Sequence, residues 1–480
     1  MFRRKALFFS ILFLASGLAL TNNTVALHII RFLNTLHLHL DIEFRTYGLF
    51  YCGCLLIALS LITALFYLKE KEIIPAKRLY PLSYSVLTVF YFFFLWKDSI
   101  NMPVTDDYRV LIFFSQYSLK TSLAEKWDMI IRAPLECRIM EVPKLALLGV
   151  YYLFGSINFR WLILVNGFLL LIICRIIFNS FQHPQRDLLQ LAFFFLVLQF
   201  QSFDSAFWAV AGISYYWTFL FVILAIKETL KGASGNFFFS FLFATLAAFT
   251  LGNGLLVFPL CCFIYYTQSR IKQCLAFALL LVVVNILYFY FWPYPEEAST
   301  WEFNPLRLLV FALGFLGSAM QFMYSLYIPV LVGLICIGIF IYATIKKYYK
   351  ENFFVWALLL FIILSAFITA PLRLKWGPLQ SRYGFYSIIA IVLSLIALIE
   401  LLRKKQFSVS FVSLLLIAIG YNFLSGIMFY PEAPVRKAQL QELEHEWKNR
   451  LPLTIYSAHT PDNAQKYLDD AKSSGIWNGR

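Results

Sequence analysis

The chain has 480 residues, 61% of them hydrophobic and 14% charged, with a net charge of +14. A soluble globular protein carries roughly 25% charged residues, so this deficit excludes that class and points to a membrane protein. The basic excess lies mostly in short connections between apolar runs. There it sets orientation in the bilayer, so it does not argue for nucleic-acid binding.

Apolar runs of about 17–25 residues recur along the whole length without alternating polar positions, which predicts a polytopic all-α bundle and excludes a β-barrel. Residues 2–5 (Phe-Arg-Arg-Lys) precede the first run, 6–20, in the manner of a retained signal-anchor. Further spans are expected at 47–68, 79–96, 160–178, 188–203, 213–227, 237–251, 254–267, 274–292, 325–345, 353–371, 383–402 and 408–429. That makes about thirteen transmembrane helices in a domain covering 1–430, followed by a short polar tail, 431–480. Within the tail, 436–450 reads as an amphipathic helix. Two apolar pieces, 144–155 and 306–320, are expected to lie on the surface or re-enter from it. Of the eight cysteines, seven sit in or beside apolar spans as small hydrophobes. No CxxC pair or HExxH motif is present to hold zinc.

Charge fixes the expected orientation. With the N-terminus in the cytoplasm, the inside connections hold the basic run 69–78, Lys227 and Lys231, Arg270 and Lys272, Lys346, Lys347 and Lys350, and Arg403 with Lys404 and Lys405. Each is basic, as the positive-inside rule demands. An odd number of spans then leaves the C-terminus extracytoplasmic.

On the far side this topology collects the unusual residues. The loop 97–159 carries Asp106, Asp107 and Arg109, then Arg132, Glu136, Cys137 and Arg138, then Glu141 and Lys144. Asp204 and Trp208 fall in the next outer connection, Gly252-Asn253-Gly254 forms a tight turn, and Arg373, Lys375, Arg382 and Tyr383 close the set. Asp204 reads as a solvated loop acid. Arginine forks and a lysine point charge suit phosphate oxygens. A carboxylate beside them can take a proton from an acceptor hydroxyl or hold a divalent cation. Carboxylate plus phosphate-binding cations at a bilayer surface suits a lipid-phosphate-linked donor such as a polyprenyl-phosphate sugar.

The arrangement resembles the GT-C superfamily of integral-membrane glycosyltransferases, whose acidic motif lies in an early extracytoplasmic loop flanked by surface helices. More narrowly, it is similar to a group of bacterial multi-spanning proteins carrying an acidic pair, a later E-H-R, an N-G followed by an apolar-Pro, and an S-R-Y before a late span. The counterparts are Asp106-Asp107, Glu136-Cys137-Arg138, Asn253-Gly254 with Pro259, and Ser381-Arg382-Tyr383, with Cys137 where histidine is usual. The resemblance covers about residues 80–430. It implies a base role for Asp106 or Asp107 only, while Arg109, Arg132, Glu136, Arg138, Arg373, Lys375, Arg382 and Tyr383 are the substrate-binding candidates of the outer-face constellation. It also implies a polyprenyl-phosphate-linked sugar as donor, a cell-surface glycan or glycolipid as acceptor, and residence in the bacterial inner membrane. The alternatives are an O-antigen-type polymerase or ligase, which presents its basic residues in a large late loop, and a lipid-linked glycan flippase. A flippase predicts charges deep within spans and an internal repeat.

Overall fold

In a computed structural model the described residues are 2–35, 42–132, 140–181, 183, 186–232, 235–291, 304–322, 325–403, 411–454 and 463–479. Among them every regular element is a helix. The expected cations Lys404 and Lys405 fall outside these residues.

Helix α1 (Phe2–Thr21) packs along α3 (Ile42–Glu70), where the Ser60 hydroxyl donates to the Ser10 carbonyl at 2.8 Å. Asn22 interrupts the apolar run, its side-chain oxygen accepting from Thr24 N at 2.9 Å, and starts α2 (Asn23–Thr35) at 84° to α1. A short connection, 71–75, leads from α3 to α4 (Ala76–Asp98). Three helices too short to cross a membrane follow: α5 (Asp107–Ser118), α6 (Leu123–Arg132) and α7 (Glu141–Phe154). Lys144, with no exposed surface, fastens α7 to the last turn of α6 by donating to the Ile130 carbonyl (2.7 Å), and it also pairs with Glu141 Oε1 of its own helix (2.8 Å). Helix α7 covers most of the apolar piece 144–155 and is too short to cross a bilayer.

The bundle continues with α8 (Phe159–Asn179), α9 (Arg186–Val197) and two short helices, α10 (Phe203–Phe207) and α11 (Ala209–Gly212). A π-helical turn over Ile213–Trp217 then feeds α12 (Thr218–Leu230). Next come α13 (Phe237–Ala248), a 3₁₀ turn over Gly252–Leu256, α14 (Val257–Thr267) and α15 (Ile271–Phe291). The last part comprises α16 (Pro305–Gly317), α17 (Tyr327–Ile345), α18 (Phe353–Arg373), α19 (Gly384–Arg403), α20 (Phe411–Met428), α21 (Glu432–Lys448) and α22 (Ala464–Ser473).

Nine helices among the described residues are long and apolar enough to cross a bilayer, and the bent α1–α2 pair would make ten. The other three expected spans, 188–203, 237–251 and 254–267, correspond to α9, α13 and α14, of 12, 12 and 11 residues. A 12-residue helix rises about 18 Å, short of a hydrocarbon core of about 30 Å. Irregular or 3₁₀ backbone completes each of these runs. Hydropathy registers the whole apolar run and is blind to where the helix inside it stops.

The connections sort into two ends. At one, Asn352 donates to the Ser180 carbonyl (3.3 Å) and to Glu400 (3.1 Å), Arg270 donates to the Gly232 carbonyl (2.6 Å), and Tyr84 donates to the Asp187 carbonyl (2.8 Å). At the other, Arg160 donates to the Ser99 carbonyl (2.9 Å) and Arg45 to the Ile427 carbonyl (2.9 Å). The amphipathic helix expected in the tail is α21, which buries Ala433, Leu440, Leu443 and Trp447 against this second end. The chain's last described residues dock there too. Trp477 is wholly buried and donates its indole N–H to the Asn101 carbonyl at 3.0 Å, while the Asn101 side chain accepts from Phe159 N at 2.9 Å.

Helices α16 and α17 touch backbone to backbone at Gly317 and Gly333. A Cβ on Gly317 would stand 1.8 Å from the Pro329 carbonyl oxygen, and one on Gly333 2.0 Å from that of Leu313. Such close approach of small residues is how helices associate where lipid removes the hydrophobic drive. Gly317→Ala is therefore expected to force the helices apart and destabilise the fold by about 1–3 kcal/mol. Thermal unfolding of the detergent-purified protein measures this, and an unchanged melting temperature would contradict the contact.

Candidate functional site

The sharpest chemistry gathers where the 99–106 connection meets α10, the turn before α19, and α21. Its first component is a strained turn. Thr105 has φ of 50°, a left-handed conformation that is costly for a β-branched residue. This turn launches α5 with Asp106 at its cap position and Asp107 as its first residue. Adjacent positions on a helix face about 100° apart, and here the two acids part company.

Asp107 points inward and is only 1% exposed. Its Oδ2 accepts from Val104 N and its Oδ1 from Val210 N, both at 3.1 Å, so the carboxylate ties the start of α5 to the start of α11. Burial pushes its pKa up to about 7, against the opposing pull of those two N–H donors and of the Arg436 guanidinium. The indole N–H of Trp208 acts on the same carboxylate but lies outside hydrogen-bonding geometry.

Asp106 is half-buried and lies within electrostatic reach of the Arg382 guanidinium. Asp204 and Tyr215, the latter carried by the π-helical turn, act on the same guanidinium. Arg382 stands over the Trp208 ring at 6.0 Å and the Tyr383 ring at 5.8 Å. Backbone bonds hold the two segments together. The Ser381 hydroxyl receives Asp204 N at 3.0 Å and donates to the Gln201 carbonyl at 3.1 Å. Tyr383 is buried against Phe315, ring centroids 4.7 Å apart, and fixes the turn from below.

Asp204 is not the solvated acid that its loop position suggests. It pairs with Arg436 of α21, Nη2 to Oδ1 at 2.9 Å. Arg436 is 6% exposed and lies over the Phe203 ring at 4.1 Å, while its Nε and Nη1 are buried without an acceptor. Nothing in the polar tail sequence singled it out.

The remaining expected residues are dispersed. Arg132 pairs with Asp128 at 2.9 Å on the exposed face of α6, and Arg109 lies on the exposed face of α5. Arg373 is half-buried at the end of α18, and Lys375 stands over the exposed Trp376 at 5.6 Å. Glu136, Cys137 and Arg138 lie outside the described residues. Asn253 donates to the hydroxyls of Ser365 and Tyr386, each at 3.3 Å, and Tyr386 lies 5.6 Å from Tyr215, ring to ring. This brings the Gly252–Leu256 turn within two side chains of Arg382.

Among the described residues no three of His, Cys, Asp and Glu gather closely enough to ligate a metal ion. The carboxylates here face guanidinium groups instead. What the arrangement offers is a half-buried carboxylate, a guanidinium over an indole, and the Asp204–Arg436 ion pair behind them. The chain matches no family model, no curated protein and no solved structure.

Proposed function

We propose that the chain is a GT-C-like membrane glycosyltransferase. It moves a sugar from a polyprenyl-phosphate-linked donor to a glycan or glycolipid acceptor on the extracytoplasmic face of the bacterial inner membrane. The observation that supports this most is that Asp106 lies within electrostatic reach of Arg382, far from it in the chain, at one end of an apolar bundle. In this reading Asp106 takes the proton from the acceptor hydroxyl as its oxygen attacks the anomeric carbon. The bond from that carbon to the phosphate oxygen breaks, and the leaving phosphate carries its charge to Arg382. Asp107 holds the loop in place. Trp208 and Tyr215, both buried, pack beside Arg382 and wall the site from within.

The gathering of basic connections at the opposite end supports a cytoplasmic N-terminus, and in this reading the Asp106 end faces outward. Helices α5 to α7 then serve as the outer-surface helices of that architecture, and α9, α13 and α14 with their irregular extensions bring the crossings to about thirteen.

The direct test reconstitutes the full chain in proteoliposomes with a labelled polyprenyl-phosphate sugar and a bacterial glycolipid acceptor extract. Release of free polyprenyl phosphate together with label on the acceptor is the expected result. Intact donor moved across the bilayer without cleavage would replace this reading with a flippase.

A further inference from the structure

The tail helix α21 contributes a charge to the candidate site, and its arrangement fits one purpose. Arg382 has two carboxylates in its field, Asp204 and Asp106. If both were engaged with it, Arg382 would have little attraction left for an anion. Asp204, however, is already held at 2.9 Å by Arg436 from α21. The hold is built in several ways. The Arg436 side chain is 7% exposed and its guanidinium lies 4.1 Å over the Phe203 ring, in the residue before Asp204. Asp204 N is fixed to Ser381 Oγ at 3.0 Å, and the Ser205 hydroxyl reaches the Arg382 carbonyl at 3.4 Å. Glu432, the other acid facing this group from α21, acts on Arg436 as well.

We infer that Arg436 is a positioning residue that occupies Asp204 and so leaves Arg382 to bind a phosphate oxyanion. The inference rests on the proposed function only for the identity of that anion as the phosphate of a polyprenyl-linked donor. The bound group could equally come from free phosphate, since the recognising chemistry is the same. A guanidinium aimed at an oxyanion gains most where water is scarce and competing counter-charges are already satisfied.

Binding of inorganic phosphate and of farnesyl phosphate to the full chain in nanodiscs tests the idea. Both are titrated against wild type, Arg436→Gln, Arg436→Lys and the double variant Asp204→Asn/Arg436→Gln. In Arg436→Gln, Asp204 turns to Arg382 and affinity for the phosphate probe falls about tenfold. The double variant removes the liberated carboxylate, and affinity returns to within about threefold of wild type. Arg436→Lys keeps the charge and binds like wild type. A purely structural Arg436 predicts a double variant no better than Arg436→Gln, and that result overturns the inference. So does a loss in Arg436→Lys equal to that in Arg436→Gln. If Arg436→Gln does not fold, the double variant, which leaves no unpaired buried charge, and Arg436→Lys still give opposite answers under the two views. Wild type that binds neither probe removes the anion site itself, and with it the phosphate role in the proposed function. Wild type that binds while Arg436→Gln is unaffected overturns this inference alone. Tighter binding of farnesyl phosphate than of inorganic phosphate identifies the lipid-linked source.

Discussion

If Asp106 is the base of the proposed transfer, Asp106→Asn is expected to lower sugar transfer by about 10²–10⁴-fold, the usual contribution of a positioned general base, without reducing the amount of folded protein. The two effects separate because of how Asp106 is held. It sits at the cap position of α5 but makes no side-chain cap hydrogen bond there, and it is half-buried. An amide of the same size fills its place and leaves the turn at Thr105 intact. What the amide lacks is a lone pair basic enough to accept a proton from an acceptor hydroxyl. Mass spectrometry of surface glycans, from cells making equal amounts of wild type and variant, reads the outcome. Glycans identical in both would remove Asp106 from the role of base, whatever donor the protein uses.

Much of the architecture was legible from apolar run length alone, because a bilayer leaves a backbone few alternatives to the helix. The sorting of the connections into two ends was legible too, from the alternation of basic and non-basic loops. The sequence already grouped the 106–107 acids with Arg382, since alternating spans forced both loops to one side. Three features were hidden for separate physical reasons. The lengths of α9, α13 and α14 could not be read, because buried irregular backbone is as apolar as helix. The division of labour between Asp106 and Asp107 depends on which way a helix start faces, which a two-letter motif does not encode. Arg436 was hidden because charged residues on a tail helix are ordinarily solvated, and only its docking over Phe203 makes it a buried partner for Asp204.

Asp107 should behave in the opposite way to its neighbour. Asp107→Ala removes the acceptor of both Val104 N and Val210 N and leaves two buried donors unsatisfied. Each such donor costs about 1–3 kcal/mol, and relief from burying a carboxylate offsets part of that. A net loss of about 2–4 kcal/mol is expected, enough to deplete folded protein in the membrane. The pH dependence distinguishes this role from any other. Burial raises the Asp107 pKa from 3.8 to about 7 in the folded state, so the fold binds the proton more tightly than the unfolded chain does. The resulting stabilisation is complete below about pH 4 and is lost as pH rises through about 7, on the order of 4 kcal/mol across the interval. Wild type in detergent should therefore lose melting temperature between pH 5 and pH 8 relative to Asp107→Ala, in which this titration is gone. Parallel pH profiles for the two proteins would mean that Asp107 stays ionised throughout. It would then be a permanently charged anchor for α5 and α11, and the proposed base role would rest on Asp106 alone.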